Sequence, residues 1–171
     1  MDYTSYTEVH EEGIKFLLSG MKTVSENRRA RFDYGIEETF EAGVELLGTE
    51  VKSIKEGRIN LAGSYVVIRK NEAWLLNADI PPYQPKNAPP DYDPKRSRRL
   101  LFRREEIKRF EGKLHEKGLA LLPLRVYLKN GLVKIEVGLG KSRKKADKRE
   151  VIKKRSSERE MQRLGDRDAT T

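Results

Sequence analysis

The sequence predicts a mostly β protein: a small antiparallel barrel with two short helices and a basic, disordered C-terminal tail. Three observations point that way. Apolar and polar residues alternate strictly from Tyr34 to Leu46. An Asn130-Gly131 step joins two further alternating runs. After Gly140 the apolar residues thin out and cations crowd together.

The elements follow in order. Residues 1–26 read as a flexible N-terminal extension. Within it, Gly13 and Gly20 bracket a short apolar piece, and Met21-Lys22-Thr23-Val24-Ser25 looks like an ordinary protein start. Residues 1–20 are therefore expected to be loosely attached or not native. Positions 34, 36, 38, 40, 42, 44 and 46 are Tyr, Ile, Glu, Phe, Ala, Val and Leu, so six of seven are apolar. Period two over this length predicts one long half-buried strand, with Gly43 as a bend or bulge. Thr49 is positioned to cap a short helix that buries Val51 and Ile54 and stops at Gly57. Runs 64–69 and 73–80 form the next strand pair, turning at Lys70-Asn71-Glu72. Six prolines between 81 and 94 make a loop. Ile107, Phe110 and Leu114 mark a helix over 104–117, ended by Gly118. The last two strands span 119–128 and 132–139, and Asn-Gly is a strong hairpin signal. An antiparallel set of this size closes into a barrel to remove its edges, and an OB-type barrel over 27–140 is the first choice.

Composition narrows the function. The chain has 171 residues, no cysteine, two histidines and a formal charge of +9. A disulfide framework, an iron–sulfur cluster, a thiol nucleophile and a Cys/His zinc site are thereby excluded. No apolar run reaches membrane-spanning length, and no secretory signal opens the chain. A cytoplasmic protein without cofactor or metal is expected. The charge is graded: residues 1–20 carry 1 base and 4 acids, 21–140 carry 23 and 17, and 141–171 carry 12 and 6. A basic body with a more basic tail favours a polyanionic partner, nucleic acid before an anionic membrane.

Catalytic signals are weak. Glu37 and Glu41 share one face of the first strand and Glu38 the other, which reads as a solvated polar face. His115 sits on a charged helix face. Gly138 and Gly140 give G-x-G without the rest of a phosphate fingerprint. The cationic clusters are stronger. Arg28, Arg29 and Arg31 precede the first strand. Lys95, Arg96, Arg98, Arg99, Arg103 and Arg104 put six cations in ten residues with no acid among them. Such crowding repels and is not expected for stability, whereas guanidiniums bind phosphate in pairs of bonds and stack on bases. Tyr83 and Tyr92 flank this stretch as candidate stacking partners. As a helix, the tail would align Arg155, Arg159 and Arg163. It has too few apolar residues to dock on a core, so it is expected to fold only against a polyanion.

Several of these segments, taken in order, resemble the SsrA-binding protein family (small protein B). The matching pieces are Asn27-Arg28-Arg29-Ala30, Phe40-Glu41-Ala42-Gly43, Gly48-Thr49-Glu50-Val51-Lys52-Ser53, Asn60-Leu61 with Ser64-Tyr65, Arg98-Arg99-Leu100-Leu101, Gly140-Lys141 and Asp147-Lys148-Arg149. The resemblance runs over residues 27–155. It implies an OB-type barrel that binds the tRNA-like domain of transfer-messenger RNA. Such a protein has no active site and carries its RNA, with elongation factor Tu as an indirect partner, to ribosomes stalled without a stop codon. The tail, 141–171, would become helical in the small-subunit decoding site and empty mRNA channel. A monomer with no membrane partner is expected.

Family RNA-binding positions map to Glu41, Leu101 and Lys134. With the cation clusters they give a candidate RNA-binding set of Arg28, Arg29, Arg31, Glu41, Lys52, Arg96, Arg98, Arg99, Leu101 and Lys134. The ribosome-binding tail set is Lys141, Lys144, Lys145, Asp147, Lys148, Arg149, Ile152, Lys153 and Arg155. Four residues depart from the family pattern. Ala146 and Phe32 stand where many members have histidine, and Ser142-Arg143 replaces a second Gly-Lys. The competing reading is a general single-stranded RNA-binding OB protein with a basic tail. A ribosomal structural protein and a metal-dependent nuclease rank below it.

Overall fold

A computed structural model describes residues 21–116 and 118–168, with side chains as far as Met161; the expected appendage at 1–20 lies outside the described residues. The elements are β1 (Met21–Glu26), α1 (Arg28–Asp33), β2 (Tyr34–Val44), α2 (Gly48–Lys55), β3 (Tyr65–Arg69), β4 (Glu72–Leu76), a 3-10 turn at Pro85–Asn87, β5 (Arg98–Leu101), α3 (Arg104–Leu114), β6 (Leu119–Lys129), β7 (Leu132–Ser142) and α4 (Lys145–Asp168). The antiparallel sheet runs β1-β6-β3-β4-β5-β2-β7, and β7 pairs back with β6. Six strands therefore close into the expected barrel. The long β6 shares its second edge between β3, at Leu121, and β1, over Arg125 to Lys129.

Both expected hairpins form, the first with a tighter turn than predicted: Glu72, expected in the turn, already pairs with Arg69. Lys70-Asn71 and Asn130-Gly131 all have positive φ, the primed-turn geometry that matches strand twist. The barrel interior is apolar: Ala42, Leu75, Leu100, Leu121, Val126, Ile135, Val137 and Leu139 are buried together. Helix α3 plugs one end with Phe110, which meets Phe40 at 4.7 Å and Phe102 at 5.1 Å, both edge to face.

Several expectations are corrected. The described residues form four α-helices, where two short ones are predicted. Residues 21–26, assigned to a flexible extension, form β1. The short β5, read only as a cation run, completes the barrel. Residues 145–168 form a helix where a disordered tail is expected; Lys, Arg and Glu are good helix formers even without an apolar stripe. Thr49 lies inside α2, whose cap is Leu47. One device recurs at three helix starts: Glu50, Glu106 and Asp147 each accept from the backbone N–H three residues earlier, at 2.8, 2.8 and 3.0 Å.

The alternation in β2 changes phase once. Ile36 pairs with Gly140 and Glu38 with Leu139, so Glu37 is an extra residue, and the bulge falls here instead of at Gly43. Residues 40, 42 and 44 face the interior, while Tyr34 and Ile36 turn outward onto a second cluster with Ala30, Leu122 and Leu124, roofed by α1. Gly138 and Gly140 are the floor of that cluster. A Cβ on Gly138 would lie 2.7 Å from Leu124 Cδ1, and one on Gly140 would lie 2.9 Å from Ile36 Cδ1. The G-x-G thus makes room for a second core and has no phosphate role. Asn27 locks the roof down. Its side chain caps α1 at Ala30 N (3.0 Å) and donates to Leu61 O (3.1 Å) and Pro123 O (3.0 Å).

Arg98 is the largest correction. It is fully buried, and so is Glu50. Arg98 Nε and NH2 donate to Glu50 Oε1 at 3.0 and 2.9 Å. The remaining N–H groups reach the carbonyls of Ala78 (2.7 Å), Arg96 (3.0 Å) and Pro94 (2.9 Å). All five guanidinium donors are used. Arg96 adds a second pair of bonds to the same carboxylate, and the Leu47 N–H donates to it as well. The acid missing from the 95–104 run comes from α2.

Two outcomes are expected. Gly138→Val should lower unfolding free energy by about 1–3 kcal/mol, the cost of overpacking a filled site, read by urea titration; an unchanged midpoint would contradict the second core. Burial alone would raise the Glu50 pKa, but the Arg96 bonds, the Leu47 amide and the Arg98 charge outweigh it and hold the carboxyl below its ordinary value. A depressed folded pKa gives stability that is complete above the unfolded value and lost as pH falls through the folded one. Glu50→Gln, which strands Arg98 in the interior, should cost about 3–5 kcal/mol and flatten that acid-side loss. Melting curves between pH 3 and 7 check both; an acid limb as steep as in the parent chain would refute the assignment.

Candidate nucleic-acid interface

Four strands build the outer face on which the resemblance-derived residues meet. Gly43 of β2 is the register partner of Leu101 on β5 and of Lys134 on β7, and Lys134 is the partner of Tyr127 on β6. Leu101, Gly43, Lys134 and Tyr127 therefore form one row across the barrel wall. Glu41 lies two residues before Gly43 on the same face. Glu41, Gly43, Leu101 and Lys134, with Phe102, Arg103 and Glu106, line an open groove of about 520 Å³, and Tyr127 lies buried behind it. Gly43 keeps its floor low, because a Cβ there would meet Leu101 at 3.4 Å.

The groove combines three chemistries. Glu41 accepts from Tyr127 O–H at 2.5 Å and Lys129 Nζ at 3.1 Å. The Tyr127 bond leads in holding its carboxyl below the usual range, helped by Lys129 and the charge of Lys134 against partial burial. Burial, then Glu41, pushes the Tyr127 phenol far above its ordinary value. The carboxylate is thus anionic at neutral pH and fixed from behind, with lone pairs to spare for a base amino group or ribose hydroxyl. Leu101 is 53% exposed, a large apolar side chain on a charged face, suited to packing on a base or sugar. Lys134, with no carboxylate partner among the described residues, offers a cation suited to a phosphate.

The other candidates divide. Arg28 is exposed and has no ion pair among the described residues. Arg29 reaches Asp33 at 3.5 Å, and Arg31 holds Glu136 at 2.8 Å beside Arg125. Lys52 lies 5.8 Å from the Tyr83 ring centroid. Arg99 is exposed and pairs loosely with Glu72 at 3.3 Å. Arg98 is removed from the candidate surface, and Arg96 is committed to Glu50. Tyr92 donates to Ile80 O at 2.7 Å and serves the same buried network. Of the acids weighed for catalysis, Glu38 pairs with Lys113 and, at 2.7 Å, with Arg109 of α3, on the opposite side of the wall from Glu41. Among the described residues no cluster of His, Cys, Asp and Glu could hold a metal.

The tail helix rises directly from the barrel. Arg143 N–H donates to Asp33 O at 2.9 Å, and its NH1 reaches Arg31 O and Phe32 O at 3.0 Å each. Lys148 pairs with Asp33 at 2.7 Å, and the Arg155 guanidinium stands 6.0 Å from the Phe32 ring centroid. The tail therefore touches α1 through polar and cationic side chains, although it has too few apolar residues to be expected to dock there. Ile152 is 56% exposed, and Lys141, Lys144, Lys145, Arg149 and Lys153 all face solvent. Asp147 is spent on the helix cap. The side chain of Arg163 lies outside the described residues.

Sequence reasoning missed Tyr127, Lys129 and Phe102 as supports of the groove. Tyr127 breaks no pattern along β6; only the β6–β7–β2 register brings it behind Glu41.

Comparison with known proteins identifies the family. The family model described as SmpB protein matches residues 24–167. The SsrA-binding protein of Trichodesmium erythraeum (strain IMS101) is 54% identical over 144 residues, 84% of this chain and 92% of the relative. That of Synechococcus elongatus (strain ATCC 33912 / PCC 7942 / FACHB-805) is 51% identical over 144 residues, covering 84% and 94%. A solved structure described as "tmRNA-SmpB: a journey to the center of the bacterial ribosome" contains a chain 43% identical to this one. It superposes with a TM-score of 0.59 over 71% of this chain and 85% of that one. With the family model spanning the barrel and most of the tail, the chain belongs to the SsrA-binding protein (SmpB) family.

Proposed function

We propose that this chain binds the tRNA-like domain of transfer-messenger RNA in the Glu41–Leu101–Lys134 groove and carries it to stalled ribosomes. The single observation behind the groove assignment is the transverse row: an anchored carboxylate, an exposed leucine and a lysine without a carboxylate partner among the described residues, from three strands, lining one depression. The names of the relatives supply the RNA class. The barrel acts as a binding module and not as a catalyst. Elongation factor Tu enters only through the shared RNA.

The tail then works on the ribosome. Helix α4 leaves Lys145, Arg149 and Lys153 exposed to solvent, ready for phosphates of ribosomal RNA in the decoding site and empty mRNA channel. A general single-stranded RNA binder would share the charge but not the Glu41 anchor, which is suited to a defined hydroxyl or amino donor. Sequencing the RNA that co-purifies with the full chain separates the two readings: one dominant structured species supports the first, a random pool the second.

Two variants test the roles. Leu101→Ala with Lys134→Ala removes one exposed apolar contact and one phosphate contact. It should weaken binding of the tRNA-like RNA while leaving the melting temperature near that of the parent, since both sites are accessible. Unchanged affinity would remove the groove from the interface. Ile152→Pro takes away an amide donor and clashes with the preceding turn, costing about 3 kcal/mol of helix stability. It should keep RNA affinity and fail to support tagging in a reconstituted stalled-ribosome assay; normal tagging would detach the helix from the role given to it here.

A further inference from the structure

A second groove, of about 650 Å³, lies on the other side of Phe102 from the first. Lys70, Arg99, Arg104 and Lys108 border it, Phe102 and Ile107 contribute apolar wall, and Glu72 is its acid. Phe102 and the β5 edge are common to both grooves. Arg99 and Leu101 stand two residues apart on the same face of β5, one bordering each groove. Lys70, Arg104 and Lys108 are exposed and have no carboxylate partner among the described residues.

Stability does not account for this set. Lys70 sits at the first position of a primed turn with φ of 50°, where Asn or Gly would be at ease and an ordinary side chain is strained. Arg104 opens α3, the positive end of its dipole, where a cation is unfavourable. The Arg99–Glu72 contact is an exposed pair of little worth. The sequence thus holds four cations around one groove at positions where two of them work against local structure.

We infer that this groove is a second site for an RNA sugar-phosphate backbone, and that the strand leaving the Glu41–Leu101–Lys134 groove crosses β5 at Phe102 to enter it. The inference rests on the groove reading above and adds to it a path, a set of phosphate contacts and a direction around the barrel. Lysines and arginines contact the phosphates, and the Phe102 edge separates the two stretches of strand.

The test uses the full chain and the tRNA-like domain RNA as probe, titrated over a range of salt. Lys70→Asn with Lys108→Gln removes two cations and leaves a turn residue suited to its φ. The melting temperature should hold or rise. The salt slope of log affinity should fall by about 1.4–1.8, some 0.7–0.9 for each lost phosphate contact. Lys70→Glu with Lys108→Glu should deepen the loss of affinity. An unchanged slope and affinity in both variants overturns the inference. Leu101→Ala with Lys134→Ala, run alongside, keeps the two questions apart. If that pair weakens binding while the Lys70 and Lys108 variants do not, the first groove stands and the second fails. If the reverse is found, RNA contacts the second groove alone, the first reading fails, and the path between the two grooves is overturned with it.

Discussion

The outer face proposed to bind RNA depends on a pair of charges that never meets solvent. Glu50 draws Arg98 into the barrel, and alternation along β5 then sends Arg99 and Leu101 outward. A slip of one residue would bury Leu101 and expose Arg98, so the Glu50–Arg98 contact sets the register of the functional face. The same guanidinium holds the carbonyls of Ala78, Pro94 and Arg96, which pins the Pro-rich connection before β5. A buried ion pair is weak evidence of net stability, because desolvating both charges offsets much of their attraction. Its role here is positional: it specifies one arrangement of loop and strand among several that would bury similar apolar area.

A division of labour among the arginines follows. Within 95–104, position on the strand decides whether a cation supports the fold or faces a partner. Arg98 is interior, Arg96 leans on the same carboxylate from the rim, and Arg99 and Arg104 look outward. Linear charge density carries none of this. Glu50 is remote in sequence and looks, in isolation, like an ordinary residue of a short amphipathic helix.

What could be read in advance was local. The long β2, the α3 face of Ile107, Phe110 and Leu114, and the Asn130-Gly131 hairpin all follow from periodicity and turn chemistry. So did the barrel, because closure is the economical way to hide strand edges. The parts that escaped depend on pairings between distant residues. β1 has no alternation strong enough to announce itself and forms because β6 offers it an edge. The Glu37 bulge moves Tyr34 and Ile36 to the opposite face without disturbing the one-dimensional pattern. The glycines at 138 and 140 make sense only with Ile36 and Leu124 in place. At the interface, residue identities came from resemblance, whereas their shared row came from register.

The joint between barrel and tail has a mechanical meaning. Only Arg143 and Lys144 separate β7 from α4, and Arg143 is tied through its amide and its guanidinium to the end of α1. The strand feeding this joint belongs to the β6–β7 ladder, which is packed on the inside by the main core and on the outside by the Ala30–Leu122–Leu124 cluster. A helix of 24 residues spans about 36 Å. Mounted on so stiff a base, it behaves as a cantilever and not as a tether: displacement of its far end becomes torque on the barrel, and rotation of the barrel sweeps the helix through space.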